Sequence, residues 1–435
     1  MIIPMHRLLI LMLLLATPAL ADDWPQWRGP THNGVSTAPS GYPDAWPPQR
    51  QWTKQVGIGC TSPVIAGGRL YTLGWTGPDR QDARDNPRGT DAIVCLDLRT
   101  GEQLWQQTYN ARFQSRHSTG DERQYGGPSA TPSFDPDTGY LYTLGSDGDL
   151  HCFNTRADGN RVWRINLFDQ FNVPQRPVVG SGHRDFGYTC APLIHGEQLI
   201  VEVGTPDATV IAFNKRTGNV AWRSQYNRPH GHTGGIVPMR LGSRDALALL
   251  TLYDVVAMDV AGRTIATQTW TTDYGCNLPT PAADGSALLV TSDYNMRRAT
   301  LFNVAGDALT PKWQSSERAL LSSPILHGGR AYLIQKTLRA VDRNSGDPLW
   351  RGGDFGHGSA VLTADNRLIV FGDGTLALVD ATPDTTEYRE LARIDRVVPG
   401  TCYPHVAFAD NHIACKDRDG NLVVFNVSPR RGHLQ

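Results

Sequence analysis

Short apolar runs separated by Gly-bearing turns recur along this chain in one order: a small residue with Pro, a strand, a turn at Gly, a second strand ending near Asp or Asn, a tight turn and a Trp. The clearest copy reads Ser62-Pro63-Val64-Ile65, then Gly68-Arg69-Leu70-Tyr71-Thr72-Leu73, Val94-Cys95-Leu96-Asp97, Arg99-Thr100-Gly101 and Leu104-Trp105. Alternating patterning between such turns predicts four short antiparallel strands per copy. Self-similarity over the whole length predicts a ring or stack of such units. Further copies run from Thr131-Pro132 to Trp163 and from Ala191-Pro192 to Trp222, and others end at Trp270, Trp313 and Trp350. A degenerate copy starts at Ser359 and ends near Leu391, where Leu takes the place of Trp. The last copy, from Tyr403-Pro404 to Asn426, lacks its terminal strand, while Gln51-Trp52-Thr53-Lys54-Gln55 is a terminal strand with no unit of its own. The pattern predicts an all-β, eight-bladed β-propeller in which this N-terminal strand completes the last blade, leaving no open edge at the seam.

The first 21 residues stand apart from the repeat. Arg7, an unbroken apolar run over residues 8–15 and Ala19-Leu20-Ala21 form the charged, apolar and small-residue regions of a secretory signal peptide. The expected mature protein is residues 22–435, a single propeller domain, exported to the periplasm or secreted, with no later apolar run long enough to span a bilayer. Charge narrows the partners: 41 basic against 42 acidic side chains leaves a formal net charge of −1, which excludes binding driven by nucleic-acid phosphates. The seven Cys are odd in number and scattered, so at least one thiol is expected to stay unpaired within the chain.

These signatures resemble the pyrroloquinoline quinone (PQQ)-like repeat, whose turn, here Arg99-Thr100-Gly101 before Trp105 and Arg216-Thr217-Gly218 before Trp222, carries Gly-to-Trp docking between blades. The opening Asp23-Trp24-Pro25-Gln26-Trp27-Arg28-Gly29-Pro30, with Asn33-Gly34-Val35-Ser36, is similar to the start of exported bacterial PQQ-like propellers related to the outer-membrane barrel-assembly scaffold lipoprotein. The stretch Gly187-Tyr188-Thr189-Cys190-Ala191-Pro192-Leu193 through Asp207-Ala208-Thr209-Val210-Ile211-Ala212 matches that subgroup, and the resemblance covers essentially the whole mature chain. It implies a quinoprotein-like fold and a binding or protein-interaction scaffold in the cell envelope. The family name also brings in PQQ with calcium. Quinoprotein dehydrogenases resemble one another in a vicinal disulfide, acidic and amide calcium ligands and an Asp base. Here no two Cys are adjacent, no CxxCH motif occurs, and neither the calcium ligands nor the base match defined positions.

In a propeller the loops entering the innermost strands crowd around one mouth of the channel, so these loops hold the candidate ligand-binding residues. They are Arg123, Tyr125, His183, Arg184, Tyr188, His230, His232, Tyr274, His357, Tyr403 and His405. Three chemistries compete with plain packing. His230 and His232 with Cys190, Cys276 or His405 supply imidazole and thiolate for a transition metal. Arg123 and Arg184 suit an anion or sugar acid, and with Tyr and His they are the residue types that eliminative polysaccharide cleavage uses. A quinone-dependent oxidoreductase is the third. In the plain reading, Gly-rich loops bend, aromatics cover them and Cys acts as a small buried hydrophobe. The balance favours a monomeric scaffold that binds an envelope protein or a small-molecule or glycan ligand, with a quinone-dependent oxidoreductase or a sugar-active lyase as the enzyme alternatives.

Overall fold

In a computed structural model, the described residues are 23–78, 86–119, 125–229 and 235–428. Residues 1–21, the expected signal peptide, lie outside them, as do Arg123, His230 and His232. Each copy of the repeat folds into one four-stranded antiparallel sheet, and the eight sheets form the ring of an eight-bladed propeller. The innermost strands, in chain order, are Val64–Ala66, Ser133–Asp135, Leu193–His195, Val237–Leu241, Ala282–Asp284, Ile325–His327, Ser359–Leu362 and Ala407–Ala409. These define blades 1 to 8. Middle strands are buried on both faces, as in Thr375–Asp380, so they read as continuous apolar runs. Outer strands alternate: Gln103–Arg112 buries Trp105 and exposes its neighbours.

The seam closes as the orphan strand requires. Gln49–Gln55 pairs antiparallel with Asn421–Asn426, with Arg50 opposite Phe425 and Trp52 opposite Val424. Trp52 also reaches the next blade. Its indole N–H donates to Leu98 O at 2.9 Å, and a Cβ built on Gly101 (φ +72°) would lie 2.7 Å from its ring. Only glycine combines that left-handed backbone with that approach. The same docking joins Trp105 to Gly159, Trp163 to Gly218, Trp222 to Gly262 and Trp313 to Gly346, where a Cβ built on the glycine would lie 2.6–3.0 Å from the ring. An indole buries roughly 150–250 Å2, so each docking contributes at most about 4–6 kcal/mol.

Two blades depart from the expected pattern. Each docked Trp stands beside a bulge in its outer strand, as Trp105 does opposite Cys95 and Trp313 opposite Leu301. In blade 4 that position is Ala266, opposite Ala257, so Trp270 is not the repeat's Trp. Trp270 lies just past the strand, buried, with its N–H on Ser292 Oγ at 2.9 Å and the Arg298 guanidinium over its ring. In blade 7 the position is Ala392, opposite Leu378, and Leu391 is its neighbour. The turn before it has no glycine, and Tyr388 from that turn packs against Trp350 with ring centroids 6.0 Å apart.

The small residues that open each repeat stitch the inner rim. Ser62 Oγ accepts from His405 N at 2.8 Å, Thr131 Oγ1 from Ser62 N at 3.1 Å, Ser323 Oγ from Thr280 N at 3.0 Å and Ser359 Oγ from Val406 N at 2.9 Å. Each bond crosses from one blade to the next.

Residues 23–48 form a strap across the centre of the ring. Trp24 exchanges both backbone hydrogen bonds with Ile65 of blade 1, at 2.7 and 3.0 Å, and Pro25 O accepts from Phe134 N of blade 2 at 2.8 Å. The chain then crosses the ring. Arg28 donates to Pro281 O at 2.9 Å and to Pro324 O, at the entries to blades 5 and 6. Val35 bridges to Leu362 of blade 7, and Ser40 binds the Asp365 carboxylate through its N and Oγ at 2.8 and 2.7 Å. Gly29 makes the crossing possible: at φ +79°, a Cβ there would lie 2.5 Å from the Trp24 ring.

Candidate functional site at the channel mouth

The loops leading into the inner strands surround a cavity of about 360 Å3 at the centre of the ring. The strap supplies its floor. Trp27 donates its indole N–H to Thr280 Oγ1 at 2.8 Å and packs on His405, ring centroids 4.3 Å apart. The walls are largely apolar and aromatic. Tyr125 lies 6.1 Å from Phe186 and 6.0 Å from Tyr403, and Tyr403 lies 6.3 Å from His357, between ring centroids. Leu278, Leu320, Leu321 and Cys60 complete much of the lining.

Arg184 is the guanidinium in that lining. Its Nη1 donates to Tyr294 OH at 3.1 Å, and its charge lies 4.5 Å from the centroid of the Tyr274 ring. Its loop is fixed from within by a buried ion pair, Arg176 with Asp185 at 2.9 Å, whose carboxylate also accepts from Gly187 N at 2.9 Å. A rigid loop holding one cation over an aromatic ring sets an anchor point for a ligand.

The cavity thus brings together Tyr125, Arg184, His357, Tyr403 and His405 from the sequence candidates. Tyr274 supports Arg184 from outside the lining, and His183 is on the same loop but also outside it. Tyr188 belongs to the core: it is 1% exposed, donates its OH to Val203 O at 2.9 Å and packs on Phe168, so it is not a mouth residue. Cys190 and Cys276 are buried, their thiols donating to the carbonyls of Ala191 and Tyr274. No disulfide joins any two of the seven cysteines. Trp27, Tyr294, Phe186 and the leucines were missed, because they carry no chemical motif and Trp27 arrives from the strap.

Burial shifts the titration of three polar groups of the cavity. Burial lowers the His405 pKa to about 3, helped by the Arg28 charge beside it. Burial likewise lowers that of His357. Burial, then the neighbouring Tyr125, pushes Tyr403 up to about 12. Two further cations stand behind the lining. Arg28 is 3% exposed, and burial drops its pKa to about 9. Lys416 is wholly buried, donates Nζ to Gly59 O at 2.6 Å, and is lowered to about 8 by burial. No Asp or Glu is among the described lining residues, and no group of three or more His, Cys, Asp or Glu able to hold a metal occurs among the described residues. Calcium needs several converging oxygens, so the described lining does not match the calcium that would accompany a quinone.

Comparison with known proteins places this geometry in a family. The family model for outer membrane protein assembly factor BamB matches residues 89–351. The chain belongs to this PQQ-like propeller family. Among solved structures, BamB from Moraxella catarrhalis is similar at 13% identity and a TM-score of 0.58, covering 87% of this chain and 99% of that one. Quinohemoprotein alcohol dehydrogenase from Comamonas testosteroni is similar at 12% identity and a TM-score of 0.63, covering 93% and 80%. A europium-containing methanol dehydrogenase gives 12% identity and 0.62, covering 93% and 89%. At these identities the likeness is one of fold. No curated protein matches significantly. No helix among the described residues is long and apolar enough to cross a membrane. For this BamB-family chain, function has to be read from the cavity.

Proposed function

We propose that the protein is a binding propeller of the cell envelope that takes an organic ligand into the cavity at its channel mouth. The observation that carries the reading is the floor: Trp27 on His405 makes the channel a blind, aromatic-lined recess of about 360 Å3, the size and character of a small-molecule site. The envelope location is supported by the charged, apolar and small-residue pattern over residues 1–21 and by membership of the BamB family. Tyr403 and His405 suit binding better than proton transfer. A phenol near 12 and an imidazole near 3 are far from the neutral values that general acid–base groups need. The test uses N-phenyl-1-naphthylamine, a neutral apolar fluorophore. It should brighten and saturate with the wild type and fail to do so with Leu321→Trp, which fills the cavity. Equal response from both proteins refutes the reading, as does failure of the wild type to respond either to this probe or to its anionic sulfonate analogue.

A further inference from the structure

The cavity has four cations in or behind its lining and no carboxylate among its described lining residues. Arg184 lines it directly. Arg418 stands behind Tyr125, its guanidinium 5.6 Å from that ring centroid and Nη2 on Gly126 O at 3.3 Å. Lys416 donates to Gly59 O, next to the lining residue Cys60, and Arg28 follows the floor residue Trp27. Arg28 and Lys416 have only carbonyl partners, and no described carboxylate forms an ion pair with either. Two acids lie near this cluster. The buried Asp417 carboxylate partly offsets the Lys416 charge while accepting from Gly400 N at 2.9 Å, Asn421 N at 2.8 Å and Asn421 Nδ2 at 2.7 Å. Asp419 pairs with Arg418 at 4.0 Å, so among the described residues Arg28 is the buried cation with no carboxylate beside it. A buried cation without a counter-charge is costly, and a fold keeps one most readily where a ligand supplies the missing charge.

We propose that the ligand is an organic anion: a flat apolar or aromatic body against Tyr125, Phe186 and Trp27, with a carboxylate, sulfonate or similar group held by Arg184 in the field of Lys416, Arg28 and Arg418. This rests on the binding reading above and adds the sign of the ligand's charge. The lowered pKa values of His405 and His32, each buried beside Arg28, fit the same positive field.

The test compares two fluorophores with the same anilinonaphthalene body on the full mature protein. One is the sulfonate, 1-anilinonaphthalene-8-sulfonate, and the other is neutral N-phenyl-1-naphthylamine. The sulfonate should bind at least about tenfold more tightly, since a charge-assisted contact is the difference between them. Lys416→Met should weaken the sulfonate by about tenfold, leave the neutral probe unchanged, and raise the melting temperature of the ligand-free protein. A purely structural lysine would not give that opposed pair of effects. Arg184→Gln is the second variant and should show the same selective loss if Lys416→Met does not fold. Leu321→Trp must abolish both signals, tying them to the cavity. Equal affinities for the two probes overturn the anion proposal and leave the binding reading standing, whereas no binding of either probe overturns both.

Discussion

Replacing Gly101 with Ala isolates the contact that closes the ring. Gly101 holds φ at +72°, and the added Cβ would lie 2.7 Å from the Trp52 indole. The backbone term alone costs about 1–2 kcal/mol. Displacing a packed indole adds about 1–3 kcal/mol, plus about 1 kcal/mol if the 2.9 Å bond from Trp52 to Leu98 O is lost. Gly306 supplies the control. It has a similar φ of +61° but nothing within 4 Å of its built Cβ, because the blade behind it presents Ala266 and not Trp. Gly306→Ala should therefore show only the backbone cost, and Gly101→Ala should exceed it by roughly 1–4 kcal/mol. Urea unfolding followed by circular dichroism gives both values as shifts in midpoint at constant slope. In the Trp52→Ala background the excess for Gly101→Ala should disappear, since the obstructing ring is gone. Equal destabilisation of the two glycine variants in the wild-type background, within about 0.5 kcal/mol, would refute the docking argument.

Other outcomes follow from the same structure. Trp52→Ala should cost about 3–5 kcal/mol in urea unfolding, as deletion of a large packed aromatic does. Lys416 has its folded pKa lowered to about 8 from an ordinary 10.5, so between these values the unfolded chain binds more protons and stability rises with pH. The advantage of Lys416→Met over wild type, about 3 kcal/mol at neutral pH, should thus shrink as pH climbs from 8 towards 10.5. Asp91 runs the other way. Burial raises its pKa to about 7, so its contribution is present at low pH and lost between 3.8 and 7. Asp91→Asn should be more stable than wild type at pH 8 and lose that advantage near pH 4, by urea unfolding at each pH.

The ring was legible because each blade is built from local hairpins whose turn residues and apolar runs are contiguous in sequence. The seam was legible too, since residues 51–55 form a strand without neighbours in a chain whose last repeat lacks one. Trp270 misled because the docking position is defined by a bulge, and spacing from the preceding strand does not reveal that Ala266 occupies it. At the mouth, strand position and loop order identified Tyr125, Arg184, His357, Tyr403 and His405, but a loop has no alternation to say which way a side chain turns. Tyr188, two residues past Phe186, therefore went to the core. The strap was least legible: Arg28 finds its partners 253 and 296 residues away, and nothing periodic in residues 23–48 announces those contacts. Lys416 ends the buried strand His412–Lys416, so its burial was readable from the strand but the reach of its ammonium to Gly59 O, 357 residues away, was not.

Because residues 23–48 span the middle of the ring, the described residues leave the chamber one door, on the face away from the strap. A ligand of the proposed kind would leave by the path it entered, between the loops that carry Tyr125, Arg184 and His357. Residence time is then set by how far those loops part as well as by the contacts inside. Stiffening them, with Trp27 and its neighbours untouched, would slow arrival and departure together and leave the equilibrium affinity where it was.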